Sequence, residues 1–77
     1  MDDFQRYIAK LALKEAIMAH NGPSGLSGAL KDITPQAISQ WEVTPALRVL
    51  EVEKATGVSR YRLRPDIYPV DNVMPQT

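Results

Sequence analysis

Two threonine-proline pairs, Thr34-Pro35 and Thr44-Pro45, constrain the fold of this 77-residue chain more than any other feature. A threonine hydroxyl caps a helix N-terminus, and proline is tolerated in the first turn because its missing N–H group is not needed there. Each pair therefore predicts the start of a helix, and residues 21–23 (Asn-Gly-Pro) predict the stop of an earlier one. No alternation of polar and apolar residues indicates a strand, so these signals predict a chain of short helices.

Five helical segments follow from these signals and from the spacing of apolar residues. The first covers residues 3–20 and opens with two aspartates, which suit a helix N-terminus. The second, residues 24–30, is rich in glycine, and each interior glycine costs about 1 kcal/mol relative to alanine, so we expect another helix to approach it closely. A turn at residues 31–33 leads to the third segment, residues 36–41. The fourth runs from Thr44 to a stop at Gly57, and Ser59 caps a fifth that ends at Leu63.

The third segment has an apolar and a polar face. Its apolar face consists of Ala37, Ile38 and Trp41. Its opposite face, which is uncharged, consists of Gln36, Ser39 and Gln40. Two short helices joined by a turn, the second exposing polar side chains, are the outline of a helix-turn-helix. Any small helical domain can show this outline, so the pattern alone leaves DNA binding and generic packing equally open.

The first segment carries two apolar stripes where a surface helix needs one. One stripe consists of Phe4, Tyr7, Ile8, Leu11 and Met18. The other consists of Leu13, Ala16 and Ile17. We expect one of them to serve something besides the domain's own core.

The totals exclude several classes of protein. Without cysteine the chain has no disulfide, no thiolate nucleophile and no cysteine metal site, which fits a reducing compartment. No basic-then-apolar leader opens it, and no apolar run approaches the roughly 20 residues that span a bilayer. No nucleophile, base and orienting group stand at plausible spacing, and no glycine-rich phosphate loop occurs. We therefore expect a cytoplasmic protein that is not an enzyme and binds no metal or cofactor.

The charge is balanced overall but not evenly placed. Nine basic and nine acidic residues give a formal net charge of zero, which is unusual for a nucleic-acid binder. Between residues 44 and 64, however, five basic residues face only Glu51 and Glu53, a local excess of three positive charges. This stretch predicts a modest basic face.

A longer pattern joins these pieces and resembles a known family. Its parts are Thr34 to Trp41, then Pro45, Ala46 and Arg48, then Glu51 to Tyr61, and finally Leu63 to Pro69. It resembles the YdaS-type, Cro-like regulators of bacterial prophages over about residues 13–69. The resemblance implies an all-α Cro or repressor-like fold. With the helix signals above, we expect one five-helix domain over residues 1–69 that begins with an N-terminal helical extension. After Arg64 the chain has three prolines and no periodicity, which predicts a flexible tail at residues 70–77.

This chain departs from the family pattern at three places. Pro23 stands where the family usually has a phosphate-binding glutamine. The turn at residues 30–33 is one residue longer and lacks the usual glycine, which tolerates a left-handed backbone. The first ten or so residues extend beyond the usual start of the family.

The resemblance also implies a function and its residues. It implies that the protein binds a double-stranded DNA operator and that it is a homodimer, at least when bound to DNA. In some members it implies an antitoxin role beside a cognate toxin or regulator protein. The base-reading residues would be Gln36, Ser39 and Gln40. The phosphate contacts would be Ser24, Thr34, Arg48, Arg60 and Arg62. The proposed dimer contacts are Phe4, Tyr7, Ile8 and Leu11. The alternative is that these side chains cover the domain's own last helix and tail.

Several residues also have plainer structural interpretations. Arg48 is equally suited to an ion pair with Glu51 or Glu53. Trp41 is expected to belong to the core and not to stack on a base, because it continues the stripe of Ala37 and Ile38. Arg64 and Asp66 are expected to close the last turn. The Glu53 carboxylate is expected to accept hydrogen bonds from the backbone or from an arginine. His20 is expected to cap a helix or lie on the surface. The rival function is a helical interaction module that binds a partner protein through the Phe4, Tyr7, Ile8 and Leu11 stripe without touching DNA, and zero net charge favours it slightly.

Overall fold

The computed structural model describes residues 1–69, which form five α-helices and one 3₁₀ helix with no strand among them. The α-helices are α1 (Asp3–Ala19), α2 (Pro23–Leu30), α3 (Pro35–Ser39), α4 (Val49–Thr56) and α5 (Arg60–Leu63). The 3₁₀ helix (Ala46–Arg48) runs directly into α4. The predicted all-α, five-helix class is confirmed. The tail predicted at residues 70–77 lies outside the described residues.

The core lies between α1 and the four shorter helices. α1 packs against α2, α4 and α5, and α2 packs in turn against α3 and α4. The buried cluster consists of Ala12, Ala16, Leu26, Leu30, Ile38, Val49, Val52, Val58 and Leu63. Small alanines on the buried side of α1 let the other helices approach it closely, so one long helix serves as the platform for the rest.

Most helix ends are set by the residues that the sequence indicated. The Asp2 carboxylate accepts a hydrogen bond from the backbone N–H of Gln5, whose side chain accepts one from the N–H of Asp2. The Thr34 hydroxyl accepts from the N–H of Ala37, and that of Ser59 accepts from the N–H of Tyr61. Gly57 ends α4 with a φ of +81°. The predicted caps at Thr34 and Ser59 and the stop at Gly57 are confirmed.

The helix start predicted at Thr44 is wrong. Thr44 is fully buried, and its hydroxyl has no hydrogen-bond partner among the described residues. Pro45 has extended backbone and precedes the 3₁₀ helix, so α4 begins only at Val49. The Thr44 side chain is drawn into the core and does not turn back onto the following N–H groups. The core face of α4 is formed by Val49 and Val52, and Leu50 is exposed.

The close approach expected at the glycines of α2 is present at Gly25. A Cβ atom there would lie 1.7 Å from the carbonyl oxygen of His20. At Gly25, the first turn of α2 therefore approaches the end of α1 too closely to admit a side chain. Gly28 makes no such approach, because a Cβ atom added there would meet nothing within 4 Å.

The turn between α2 and α3 adopts a left-handed backbone without a glycine. Lys31 has a φ of +65° and Asp32 a φ of +54°, in a region that side chains other than glycine, asparagine and aspartate rarely occupy. The Ser27 hydroxyl donates a hydrogen bond to the carbonyl of Ile33, across the turn. This contact links α2 to the residue before the α3 cap and helps to hold the turn.

Each helix within residues 1–69 is too short or too polar to cross a lipid bilayer.

Candidate nucleic-acid interface

The polar face of α3 points to solvent. Gln36, Ser39 and Gln40 are all exposed, whereas Ile38 is buried in the core. Gln40 is the C-terminal cap of α3, and its own backbone is still helical. Since residues three and four apart share a helix face, the three polar side chains lie together on one surface. That surface offers amide and hydroxyl groups and no charge.

α2 holds α3 in place and orients this surface. The buried side chains Leu26 and Leu30 of α2 belong to the same cluster as Ile38 of α3. Ser24 is exposed in the first turn of α2. Thr34 is exposed too, but its hydroxyl already accepts the capping hydrogen bond from Ala37. A phosphate contact at Thr34 would therefore have to share a group that the helix uses.

A largely apolar groove runs beside α3. Its lining consists of Asp32, Ile33, Thr34, Ala37, Trp41, Pro45, Ala46, Leu47 and Arg48. Arg48 of the 3₁₀ helix and Thr34, which caps α3, both line it. Leu47 is 98% exposed, and sequence analysis did not single it out. No local signal marks this side chain, because its exposure depends on how the 3₁₀ helix meets the rest of the domain.

Arg48 forms the ion pair that the sequence left open between two partners. Its Nη1 atom donates to the Glu51 carboxylate at 2.8 Å, one helical turn along. Both side chains are partly exposed, so the pair leaves other guanidinium N–H groups of Arg48 free to face solvent. Of the three predicted phosphate-binding arginines, this is the one that shares a groove with α3.

Arg60 and Arg62 lie on α5, which packs against α1 and α4. The Glu53 carboxylate accepts from the backbone N–H of Arg60 and from its Nε atom, each at 2.9 Å. Arg62 donates to Glu15 of α1, and this hydrogen bond lowers the pKa of the Glu15 carboxyl group. α3 packs against α2 instead, so the structure does not gather Arg60 and Arg62 with the α3 face. Their phosphate contacts stay predictions.

The last turn is closed by a clamp around Arg64, as the sequence indicated. Its Nε and Nη2 atoms donate to the two oxygens of Asp66 at 3.0 and 2.9 Å, and Nη1 donates to the carbonyl of Thr44 at 2.9 Å. The hydrogen bonds from Arg64 lower the pKa of the Asp66 carboxyl group. The clamp ties the C-terminal residues to the segment that precedes the 3₁₀ helix.

Two further structural interpretations are confirmed. His20 caps the end of α1, and its Nε2 atom lies 2.8 Å from the carbonyl oxygen of Ala55 in α4. Trp41 is half-buried and packs against the core cluster, although one side of it also lines the groove. The His20 contact joins the end of α1 to α4.

One stripe of α1 remains uncovered among the described residues. Phe4, Tyr7, Leu11 and Met18 are 69%, 61%, 47% and 67% exposed. Ile8, which sequence analysis grouped with the proposed dimer contacts, is half-buried and lies at the edge of this stripe. We call Phe4, Tyr7, Leu11 and Met18 the α1 stripe.

Comparison with known proteins gives one match. Residues 13–71 match the family described as "Bacterial toxin YdaS". The match covers the second half of α1 and all of the shorter helices, and it leaves out Phe4, Tyr7 and Leu11. No curated protein and no solved structure matches the chain.

Proposed function

Because the chain belongs to the bacterial toxin YdaS family, we propose that it is a sequence-specific DNA-binding transcriptional regulator. In this proposal it represses from an operator, as the antitoxin-like member of a toxin-antitoxin or prophage control locus. The observation that carries the proposal is the uncharged, exposed face of α3, held by α2 across a short turn. The protein would act in the cytoplasm, without a catalytic group or cofactor.

The chemistry of the α3 face supports base reading over phosphate binding. Gln36 and Gln40 offer amides that can donate to and accept from adenine at once, and Ser39 can bond to several bases. None of the three carries the positive charge that dominates phosphate contacts. Arg48, in the groove beside the start of α3, is the better phosphate contact, because it keeps free N–H groups beside its bond to Glu51.

Two variants separate base reading from phosphate binding. Gln40→Ala should cost about 1 to 3 kcal/mol on the cognate operator, relax preference at one base pair and leave non-specific binding unchanged. Arg48→Ala should weaken all sequences alike and lower the slope of log affinity against log salt by about one unit. Fluorescence anisotropy with cognate and scrambled duplexes at several salt concentrations measures both. The DNA upstream of the protein's own gene is the first operator to try.

The rival function is a module that binds another protein and leaves DNA alone. The α1 stripe favours it, since an exposed apolar stripe is a common mark of a protein interface. It predicts no sequence-specific retardation of the upstream DNA even at low salt. An equal loss on cognate and scrambled duplexes for Gln40→Ala would also favour it, because α3 would then not read bases.

A further inference from the structure

The uncovered apolar face of α1 lies opposite its buried one. The buried side consists of Ala9, Ala12, Leu13 and Ala16. At 100° per residue, the α1 stripe is centred about half a turn away from them. Arg6 and Lys10, on one flank, lie 3.6 and 3.9 Å from Glu42 in the loop after α3. α1 is therefore held on one side, and on the other it presents an apolar surface that stays exposed among residues 1–69.

The spacing of the stripe is that of a helix pair. Phe4, Leu11 and Met18 are seven residues apart and Tyr7 lies three after Phe4, the spacing of the apolar seam in a coiled coil. The three heptad positions are also symmetric about Leu11. If a second α1 runs antiparallel, Leu11 meets Leu11 of the other copy, and each Phe4 meets a Met18. Methionine sulfur against an aromatic ring is a favourable contact.

We propose that the α1 stripe binds the same stripe of a second copy of this chain, antiparallel and centred on Leu11. Charge decides the direction. Lys14 lies one heptad after Tyr7 and so occupies the same seam position. A parallel pair would set the Lys14 side chains of the two copies against each other within the seam, and like charges so placed repel. In the antiparallel pair Lys14 lies level with Ile8 of the other copy. The formal net charge of zero adds no long-range repulsion between copies.

The exposed area sets how stable this dimer is. A fully covered aromatic side chain buries about 150 to 250 Å². With the exposed fractions of the four side chains, the stripe can bury on the order of 400 Å² per copy, or about 800 Å² in total, less than the roughly 1,200 Å² of stable complexes. The dimer is therefore weak, and its population rises with protein concentration.

This inference extends the proposed function by supplying a two-fold axis, which a regulator that binds two half-sites requires. It rests on that function only in this respect, because the stripe and its spacing are independent of DNA. Its tests contain no DNA. Loss of operator binding by Gln40→Ala and loss of dimers by variants of the stripe are therefore separate results.

The first test compares two leucine-to-glutamate variants by sedimentation equilibrium over a range of concentrations. Leu11→Glu sets two carboxylates against each other on the axis and should weaken dimerisation at least about tenfold. Leu47→Glu makes the same change at a side chain that is 98% exposed and lies beside the groove, and it should leave the dimer unchanged. Dimers lost in Leu47→Glu but kept in Leu11→Glu would overturn the proposal. So would a wild-type protein that stays monomeric at millimolar concentration.

The second test measures direction and register by crosslinking. The chain has no cysteine, so each introduced thiol reports one contact. Leu11→Cys should oxidise to a linked dimer at least about tenfold faster than Leu47→Cys, because apposed sulfurs meet the short distance a disulfide requires. A mixture of Phe4→Cys and Met18→Cys should link faster than Phe4→Cys alone. If Phe4→Cys alone links faster, the helices are parallel and the proposed arrangement is wrong. Circular dichroism of each variant confirms that the helices are retained.

Discussion

The α2–α3 region and the α4–α5 region use their polar groups in different ways. From the 3₁₀ helix to the end of α5, Arg48, Arg60 and Arg62 each donate to a glutamate, and just beyond it Arg64 donates to Asp66. On α3, the exposed polar side chains are uncharged. α2 meets α1 at Gly25 by backbone contact, without a side-chain ion pair. The α4–α5 region is fastened by its charged side chains, whereas the polar face of α3 (Gln36, Ser39 and Gln40) is exposed to a ligand.

The difference shows why counting charges along the sequence misleads. The local excess of three positive charges between residues 44 and 64 suggested a basic face. In the structure Glu15 reaches Arg62 from α1, 47 residues away, and Asp66 reaches Arg64 from just outside the counted window. Most of this excess positive charge is therefore paired with carboxylates of the protein itself. The proposal of DNA binding depends on α3 and Arg48 more than on a basic surface.

The largest loss of stability is expected when a side chain is placed at Gly25, where α2 meets the end of α1. We expect Gly25→Ala to lower the free energy of unfolding by about 3 kcal/mol or more, because its Cβ atom would overlap the His20 carbonyl oxygen and α2 would have to move. Gly28→Ala is the matched control. Its Cβ atom meets nothing, so helix propensity should raise stability by up to about 1 kcal/mol. Urea denaturation measures both, and similar stabilities would show that α2 does not depend on this contact.

The next largest effect is expected in the other region, at the Arg64 clamp. Arg64→Ala should cost about 2 to 3 kcal/mol, since it leaves Asp66 and the Thr44 carbonyl without their donor in a largely buried setting. Arg62→Ala removes an arginine of the same type from a pair in which both side chains are about half exposed, and should cost about 1 kcal/mol or less. If urea denaturation gives the same loss of unfolding free energy for both variants, the burial of the Arg64–Asp66 pair does not make it more stabilising than the exposed Arg62–Glu15 pair.

Local signals predicted the parts of the fold that depend on neighbouring residues. The caps at Thr34 and Ser59, the stop at Gly57 and the polar face of α3 each follow from residues within one or two turns. Thr44 shows where such reasoning fails. Its sequence context is that of a cap, but burial against the core and the hydrogen bond from Arg64, 20 residues later, decide its place.

The candidate site was predictable to the same extent. The exposure of Gln36, Ser39 and Gln40 follows from helical periodicity, which depends only on nearby residues. The partner of Arg62 and the groove beside Leu47 depend on how distant segments meet. The turn at Lys31 and Asp32 adopts a left-handed backbone without a glycine, a conformation that the identity of Lys31 does not favour.

One substitution made at two threonines should give effects of opposite sign. Thr44→Val replaces a buried hydroxyl that lacks a partner by a methyl group of similar size, and should raise stability by about 1 kcal/mol. Thr34→Val removes the hydroxyl that accepts from Ala37 and should cost about 1 kcal/mol through loss of the cap. Thermal and urea unfolding test both. A loss of stability in Thr44→Val would mean that its hydroxyl has a partner after all.

The smallest effect concerns acid. The hydrogen bonds from Arg64 lower the pKa of Asp66 in the folded protein below the value of about 3.9 expected for an unfolded chain. This ion pair therefore contributes its stability above about pH 4, and the contribution is lost as the pH falls through the lowered pKa. Asp66→Asn should be less stable than the wild type at neutral pH. Between neutral pH and pH values below 4, its free energy of unfolding should fall by about 1 kcal/mol less than that of the wild type, since the amide does not titrate. Arg64→Ala should show the same flatter profile, because Asp66 then lacks the donor that lowers its pKa. Urea denaturation between pH 2 and pH 7 gives the three profiles, and parallel curves for wild type and Asp66→Asn would contradict a role for Asp66 in acid sensitivity.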